Sequence, residues 1–202
     1  MTFGEFKTNV LKLIFSYSTA GTQIPATYNN QADYIAMIPG LLNSAQYDIA
    51  TSVRRLPAVQ AMSGITPTQF GDFDRYAFPA DCWQVMQGGL FDMSGKLRRA
   101  RHVVMLNDAL LFPHGYDVTN LALEYWRYPT EVDANTADGT VLDNRPETHE
   151  AMVFYAAAGL LAYDDAYRAQ LFRNEYETRK SQLKEPIWLE KTVIRNVYRG
   201  EM

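Results

Sequence analysis

The sequence predicts an α+β protein that is mainly α: a bundle of about four helices, with a small antiparallel β module inserted between the second and third and an extended arm at the C-terminus. Three observations lead there. Apolar residues recur at helical spacing toward both ends of the chain. Short segments rich in Val, Leu, Tyr and Trp, bounded by Gly, Pro, Asn and Asp, fill the middle. After Pro186 the chain mixes apolar and charged residues in a stretch that finds little room in a core already built. The 202 residues fit one domain, expected to span about 1–186, with an arm over 187–202.

Thr2 and Glu5 have the spacing of a capping box, and Phe3, Phe6, Val10, Leu13 and Tyr17 follow at helical intervals, which predicts a helix over about 3–17. Residues 18–30 are rich in Gly, Pro, Thr and Asn and read as a loop. Ile35, Ile38, Leu42, Ile49 and Val53 form a second stripe over about 31–54, with a kink or restart expected at Pro39-Gly40 because Pro lacks the donor and clashes with the preceding turn. From about 55 to 130 the period changes. Strands are expected near 57–62, 83–91, 101–106, 108–112 and 119–128, the last placing Leu121, Leu123 and Tyr125 on one face and Ala122, Glu124 and Trp126 on the other. Residues 130–144 are acidic and turn-rich and read as a connection, with one short extended piece around Val141. Pro146, bracketed by Asn144 and Glu147, opens a nearly all-apolar helix over about 145–163, and Asp164-Asp165 separates it from a more polar helix to about 184 carrying Tyr167, Leu171, Tyr176 and Leu183.

A hydrophobic share of 47% and a charged share of 21% are ordinary for a globular chain and argue against wholesale disorder or a fibrous design. Thirteen Tyr, ten Phe and three Trp give a core with much surface to bury and leave rings for subunit interfaces. No run approaches the roughly 18 apolar residues that cross a bilayer. The first residues interleave Glu5, Lys7 and Lys12 with apolar ones rather than forming a secretory leader, so a protein made and kept in the cytosol is expected. Cys82 stands alone, which excludes an intrachain disulfide and a cysteine-based zinc cluster. A net charge of −4 gives no global attraction to nucleic acid, though it leaves local contact with DNA open.

Catalytic and metal motifs break at their defining positions. His149-Glu150 starts like a zinc-protease helix, but Val153 stands where the second His belongs, so a solvent-facing or capping helix-start histidine is expected; His102 and His114 lie far off in other elements. Asp133, Asn135, Asp138 and Gly139 brush against a calcium loop, yet Ala137 takes a ligand position and Asn144 replaces the twelfth-position Glu. Asp72 and Asp74 read as a carboxylate pair or as part of a loop before a strand. Cys82 reads as a small buried side chain, and Gly88-Gly89 lacks the Lys or helix that a nucleotide loop needs. No enzyme activity, cofactor or metal is expected. The strongest positive feature is basic: Lys96, Arg98, Arg99 and Arg101, with no acid among them, beside a predicted hairpin. They form either an arm facing DNA phosphates or an acidic partner, or a solvated surface strand.

Taken in order, Asp33–Val53 (DYIAMIPGLLNSAQYDIATSV), Phe78–Val85 (FPADCWQV), Leu123–Val132 (LEYWRYPTEV) and Arg145–Asp165 (RPETHEAMVFYAAAGLLAYDD) resemble the head-to-tail connector adaptors of tailed bacteriophages. The resemblance lies in order and spacing: an N-terminal helix pair, a β region whose aromatic strand ends in Tyr128-Pro129-Thr130, an acidic spacer, then a helix with Ala156, Ala157 and Ala158. It implies a structural virion protein of the neck, assembled in the host cytoplasm as a homo-oligomeric ring of about 12 copies that docks under the portal protein and continues the channel for packaged double-stranded DNA. Its other face would receive a tail or stopper protein. The resemblance also implies that Trp188, Leu189, Val193, Ile194, Val197 and Tyr198 form a portal- or neighbour-binding arm. Two other readings stand beside it: a neck stopper or tail terminator, which favours a β-dominated fold, and a nucleic-acid-binding module using Lys96 to Arg101, which requires salt-sensitive DNA binding by the monomer.

Overall fold

Thr2 and Glu5 close a reciprocal capping box: the Thr2 N–H donates to Glu5 Oε2 (2.8 Å) and the Glu5 N–H donates to Thr2 Oγ1 (3.2 Å). The helix this starts, α1 (Phe3–Ile14), buries Phe3, Phe6, Val10, Leu11 and Ile14. The structure is a computed structural model that describes residues 1–14, 31–93 and 103–183. Three further helices follow, α2 (Gln31–Ser52), α3 (His149–Leu161, entered by a short 3-10 turn at Pro146–Thr148) and α4 (Ala166–Gln182). Seven strands are β1 (Leu56–Ala61), β2 (Thr68–Phe70), β3 (Phe73–Ala77), β4 (Cys82–Asp92), β5 (Val104–Met105), β6 (Ala109–Pro113) and β7 (Leu121–Arg127). The chain divides into two compact units, one formed by Met1–Arg54 and the chain from Thr130 onward, the other by Arg55–Pro129.

In the helical unit α3 packs against α1, α2 and α4, and its apolar composition follows from that position: Ala151, Met152, Val153, Ala156, Ala157, Leu160 and Leu161 all enter one core. The acidic connection is tied down. Asn43 on α2 grips Val132 in both directions, Nδ2 donating to its carbonyl (2.8 Å) and Oδ1 accepting its N–H (2.9 Å), which delivers Val132 to the core. Val141 forms an isolated antiparallel bridge with Thr2, and the Phe3 and Gly4 N–H groups donate to Thr140 and Asp138, so the start of α1 finds its backbone partners in the same segment. Helix α2 runs through Pro39 without the expected restart. The carbonyl that Pro39 leaves without its helical donor is that of Ile35.

The fold-class expectation is corrected in the β unit. With 45% helix and 25% strand the protein is a balanced α+β chain with two antiparallel sheets, not a mainly helical bundle with a small β module. One sheet has the order β1-β7-β4, the other β2-β3-β6-β5. What sequence reading missed is the β2–β3 hairpin. Gly71-Asp72 is its two-residue turn, with Phe70 opposite Phe73 and Gly71 at φ +61°, and β3 then pairs along β6 to build the second sheet. Asp72, Asp74 and Arg75 had hidden the strand pattern behind charge. Between the sheets Met62, Tyr76, Leu110, Phe112, Leu121, Leu123 and Tyr125 form a separate core, with Tyr76 meeting Phe112 edge to face at 5.4 Å. Strand β4 is irregular against β7: its register shifts between Cys82 and Gln84 and again between Val85 and Leu90. At the second shift a Cβ on Gly89 would lie 2.2 Å from the Glu124 carbonyl oxygen, so the backbone approach there requires glycine.

Candidate functional site

Both sets of candidate residues, Lys96, Arg98, Arg99 and Arg101 before β5 and Trp188, Leu189, Val193, Ile194, Val197 and Tyr198 after α4, lie outside the described residues, as do His102 and the expected C-terminal arm. The described surfaces define what an interacting partner would meet.

On the helical unit the most distinctive surface is α4. Its cations are engaged within the unit. Arg168 donates to the Leu13 and Ile14 carbonyls of α1 (3.1 and 3.0 Å). Arg173 lies over the Tyr155 and Tyr176 rings, and Arg179 bridges Glu150 and Glu175 while lying 4.8 Å from the Phe154 centroid. Lys180 donates to both oxygens of Asp48 on α2 (2.7 Å each), and the fully buried Tyr176 donates its hydroxyl to the same carboxylate. Burial alone would raise the Asp48 pKa, but the hydrogen bonds from Lys180 and Tyr176 outweigh it and hold the group below the ordinary aspartate value. Burial, and then the same carboxylate, push the Tyr176 hydroxyl upward.

With those groups turned inward, the outer face of α4 and the turn before it carry Tyr163 (93% exposed), Tyr167 (75%) and Leu171 (48%). The sequence groups Tyr167, Leu171 and Tyr176 on one polar helix and assigns them no face, so this surface is a finding of the structure. Leu171 and Tyr176 are five residues apart, about 140° around a helix at roughly 100° per residue, so they face different ways. The inward stripe is Ala169, Phe172 and Tyr176. The Tyr34 hydroxyl donates to Asp164 and its pKa is pushed up to about 12 by that bond first and burial second. The contact fixes the start of α2 beside the α3–α4 turn, where Ile35 and Met37 add exposed apolar surface and Asp33 an exposed carboxylate.

On the β unit, exposed apolar side chains mark the rims of the four-stranded sheet, Phe70 on β2 and Val104 and Met105 on β5, while Val59 is exposed on β1 of the other. Arg55 lies 5.5 and 5.7 Å from the ring centroids of Trp83 and Trp126. A concavity of about 250 Å³ is lined by Asp92, Tyr116, Asp117, Asn120 and Leu121.

The near-motifs resolve into structural roles. Asp74 accepts from His114 Nδ1 (2.9 Å) and from the Gly115 N–H (3.2 Å), holding the turn that ends β6; the His114 bond is the main reason its pKa is lowered. Asp72 sits in the β2–β3 turn, so the two are not a carboxylate pair aimed at a common substrate. Asp133 Oδ1 accepts from the Asn135 N–H and Thr136 Oγ1 (2.9 Å each), an Asx-type turn in which the carboxylate is occupied by its own neighbours. His149 is buried rather than solvent-facing, and its Nε2–H donates to the Asn144 carbonyl (2.9 Å); burial lowers its pKa. Burial and then the charge of Asp81 push the half-buried Cys82 thiol up, away from the reactive thiolate. Among the described residues no group of three or more His, Cys, Asp or Glu converges as a metal site, and no helix is long and apolar enough to cross a membrane.

No protein-family model matches the chain, and comparison with curated proteins finds no match.

Proposed function

We propose that the chain is a non-enzymatic structural subunit of a virus particle: the head-to-tail adaptor that forms a ring, of about 12 copies, beneath the portal of a tailed bacteriophage, extends the DNA channel and offers a surface for tail attachment. The observation that carries this reading is the order of elements in the helical unit, where the pair α1–α2 from before the β unit and the pair α3–α4 from after it meet in one core. That is the element order on which the resemblance rests. Exposed Tyr163, Tyr167 and Leu171 support it from a second side, because a subunit that closes a ring by a heterologous interface must keep two different contact faces open until it assembles. The segment from Ile187 to Met202 is then the portal- or neighbour-binding arm.

The test is the light-scattering mass of the purified protein, alone and mixed with the portal ring of the same virus, followed by imaging of any complex. A portal-dependent ring supports the adaptor; absence of both ring and portal binding overturns it. Alanine at Arg98, Arg99 and Arg101 serves as the control against direct DNA binding, since that alternative requires a salt-sensitive affinity that the substitutions abolish.

A further inference from the structure

We infer that the free edge of β1 pairs with β1 of a second copy of this chain, antiparallel and with Val59 opposite Val59, joining two three-stranded sheets into one of six strands. β1 is the outer strand in the order β1-β7-β4, and among the described residues no strand pairs with its other side. Its sequence, LPAVQA, carries no charge, so the usual guard of an edge strand, a lysine or other charge that repels a second strand, is missing. Pro57 and Val59 are exposed, Val59 at 57%. With Ala61 they stand on the face turned away from the core between the sheets, since Ala58 packs on that core and alternate residues of a strand point to opposite sides.

The occupant follows from the hydrogen bonds this edge can make. Pro57 lies opposite Trp126 in the ladder with β7 but has no N–H, so Leu56, Ala58 and Gln60 exchange the bonds with β7 and the backbone groups of Pro57, Val59 and Ala61 point outward. The edge is irregular at two places. Pro57 offers a carbonyl and no donor, and the Ala61 carbonyl already accepts from Gln60 Nε2 (3.1 Å). A foreign strand laid antiparallel along the edge leaves its own carbonyl opposite Pro57 without a donor, which is unfavourable once water is excluded. In the register centred on Val59 the two irregularities meet. Pro57 then faces Ala61 of the second copy, whose carbonyl needs no donor because Gln60 supplies one, while the Ala61 N–H donates to the Pro57 carbonyl. The two valines exchange both of their bonds, so no outward group of the three residues is left without a partner. On the outer face, Pro57, Val59 and Ala61 of both copies come to lie side by side, with Trp126 next to Pro57 on β7. A contact of this kind uses the same edge on both copies, closes about a two-fold axis and stops at two. It describes the free subunit and does not rest on the ring proposed above, whose copies repeat about a single axis; the β1 edges have to part before such a ring forms.

The light-scattering mass of the full chain without portal, followed to the highest soluble concentration, tests this pairing. The mass should rise to a plateau at twice the 23.0 kDa of one chain. Val59→Lys and Val59→Glu should each halve it, because like charges directly opposite one another on paired strands repel, and an equal mixture of the two variants should restore the doubled mass. Circular dichroism checks that each variant is folded. A wild-type plateau anywhere but at two chains overturns the inference, as does a doubled mass that the charged variants keep. A mixture that stays at one chain removes the register and with it the inference. The second measurement needs no charged variant: Val59→Cys in a Cys82→Ala chain places two thiols at a hydrogen-bonded pair, where α-carbons lie about 5.5 Å apart and a disulfide can form. Mild oxidation should yield a covalent dimer, and its absence overturns the pairing. A doubled free mass with no portal binding sinks the adaptor reading and leaves this contact standing, whereas a portal-dependent ring built from wild-type monomers does the reverse.

Discussion

The helical unit and the β unit solve the same problem by opposite routes. The first draws its core from residues more than a hundred positions apart, Phe3 and Phe6 beside Met152 and Leu160, and seals it with polar clamps: Asn43 on Val132, Asp48 on Tyr176 and Lys180. The second is one continuous stretch of chain whose buried core has, among the described residues, seven members against twenty, and its precision lies in backbone devices, a two-residue hairpin turn and a glycine-dependent bulge. Where burial is plentiful, side chains define the structure; where it is scarce, the backbone does. Two spectroscopic probes separate the units: Trp83 and Trp126 lie in the β unit, and the helices dominate far-ultraviolet dichroism. Trp188→Phe removes the remaining tryptophan from the fluorescence signal.

The largest effect is expected from Phe6→Ala. Phe6 is fully buried in the helical core, and removing a phenyl ring from such a site costs about 3–5 kcal/mol. Urea titration should show the dichroism midpoint falling well ahead of the tryptophan midpoint. Equal shifts in both would mean that the two units unfold as one and that the contrast drawn above is architectural only.

Gly89→Ala strikes the other unit through its backbone. The new Cβ would meet the Glu124 carbonyl at 2.2 Å, a contact with no flexible end to yield, and overpacking of this kind costs about 1–3 kcal/mol. The tryptophan midpoint should drop. Gly159→Ala on α3 sharpens the comparison: its Cβ meets the end of the Leu41 side chain at 2.6 Å, which can rotate, and alanine gains about 1 kcal/mol of helix propensity, so the dichroism midpoint should move far less. A large loss at Gly159 with none at Gly89 would invert the assignment of backbone control to the β unit.

How much of this was legible follows from the same contrast. Periodic stretches declared α1 and α2, because a helix that buries one face over several turns repeats its signal, and the Thr2–Glu5 box announced the first of them; α3 was legible instead as a nearly all-apolar run behind Pro146. The β2 strand has three residues, all exposed, so it offered no apolar pattern; only Gly71-Asp72 between two phenylalanines signalled the hairpin. On α4 composition was silent. A polar helix with two buried side chains carries too few core positions to set its phase, so the sequence did not separate Tyr167 and Leu171, which are exposed, from Ala169 and Phe172, which pack on the core. The polar clamps were invisible because Asp48, Tyr176 and Lys180 are brought together only by tertiary packing.

Asp48→Asn tests such a clamp, with an intermediate effect of about 1–3 kcal/mol from hydrogen bonds to a charged group. Its signature is in the pH dependence. Asp48 has a folded-state pKa below the ordinary value, so its contribution is complete above the unfolded carboxylate pKa of about 3.9 and disappears as pH falls through the lower folded value. The wild-type dichroism midpoint should therefore decline, as pH falls below about 4, more steeply than that of Asp48→Asn, with the tryptophan midpoint giving the reference slope of the other unit. Parallel declines in wild type and variant would show that the carboxylate is not held by Lys180 and Tyr176 in solution.

The smallest expected effect is at the capping box. Thr2→Ala removes the side-chain acceptor for the Glu5 N–H, a change typically worth about 1 kcal/mol. Two features of this end should keep the loss near that figure. The Phe3 and Gly4 N–H groups have backbone acceptors in Thr140 and Asp138 rather than relying on the cap, and Lys7 pairs with Asp138, so α1 remains anchored when one of its bonds is lost. A dichroism midpoint that falls as far as in Phe6→Ala would show instead that the Thr2–Val141 bridge and the connection behind it depend on the cap. The helical unit would then owe its stability at this end to a local backbone device, as the β unit does, and burial alone would not distinguish the two.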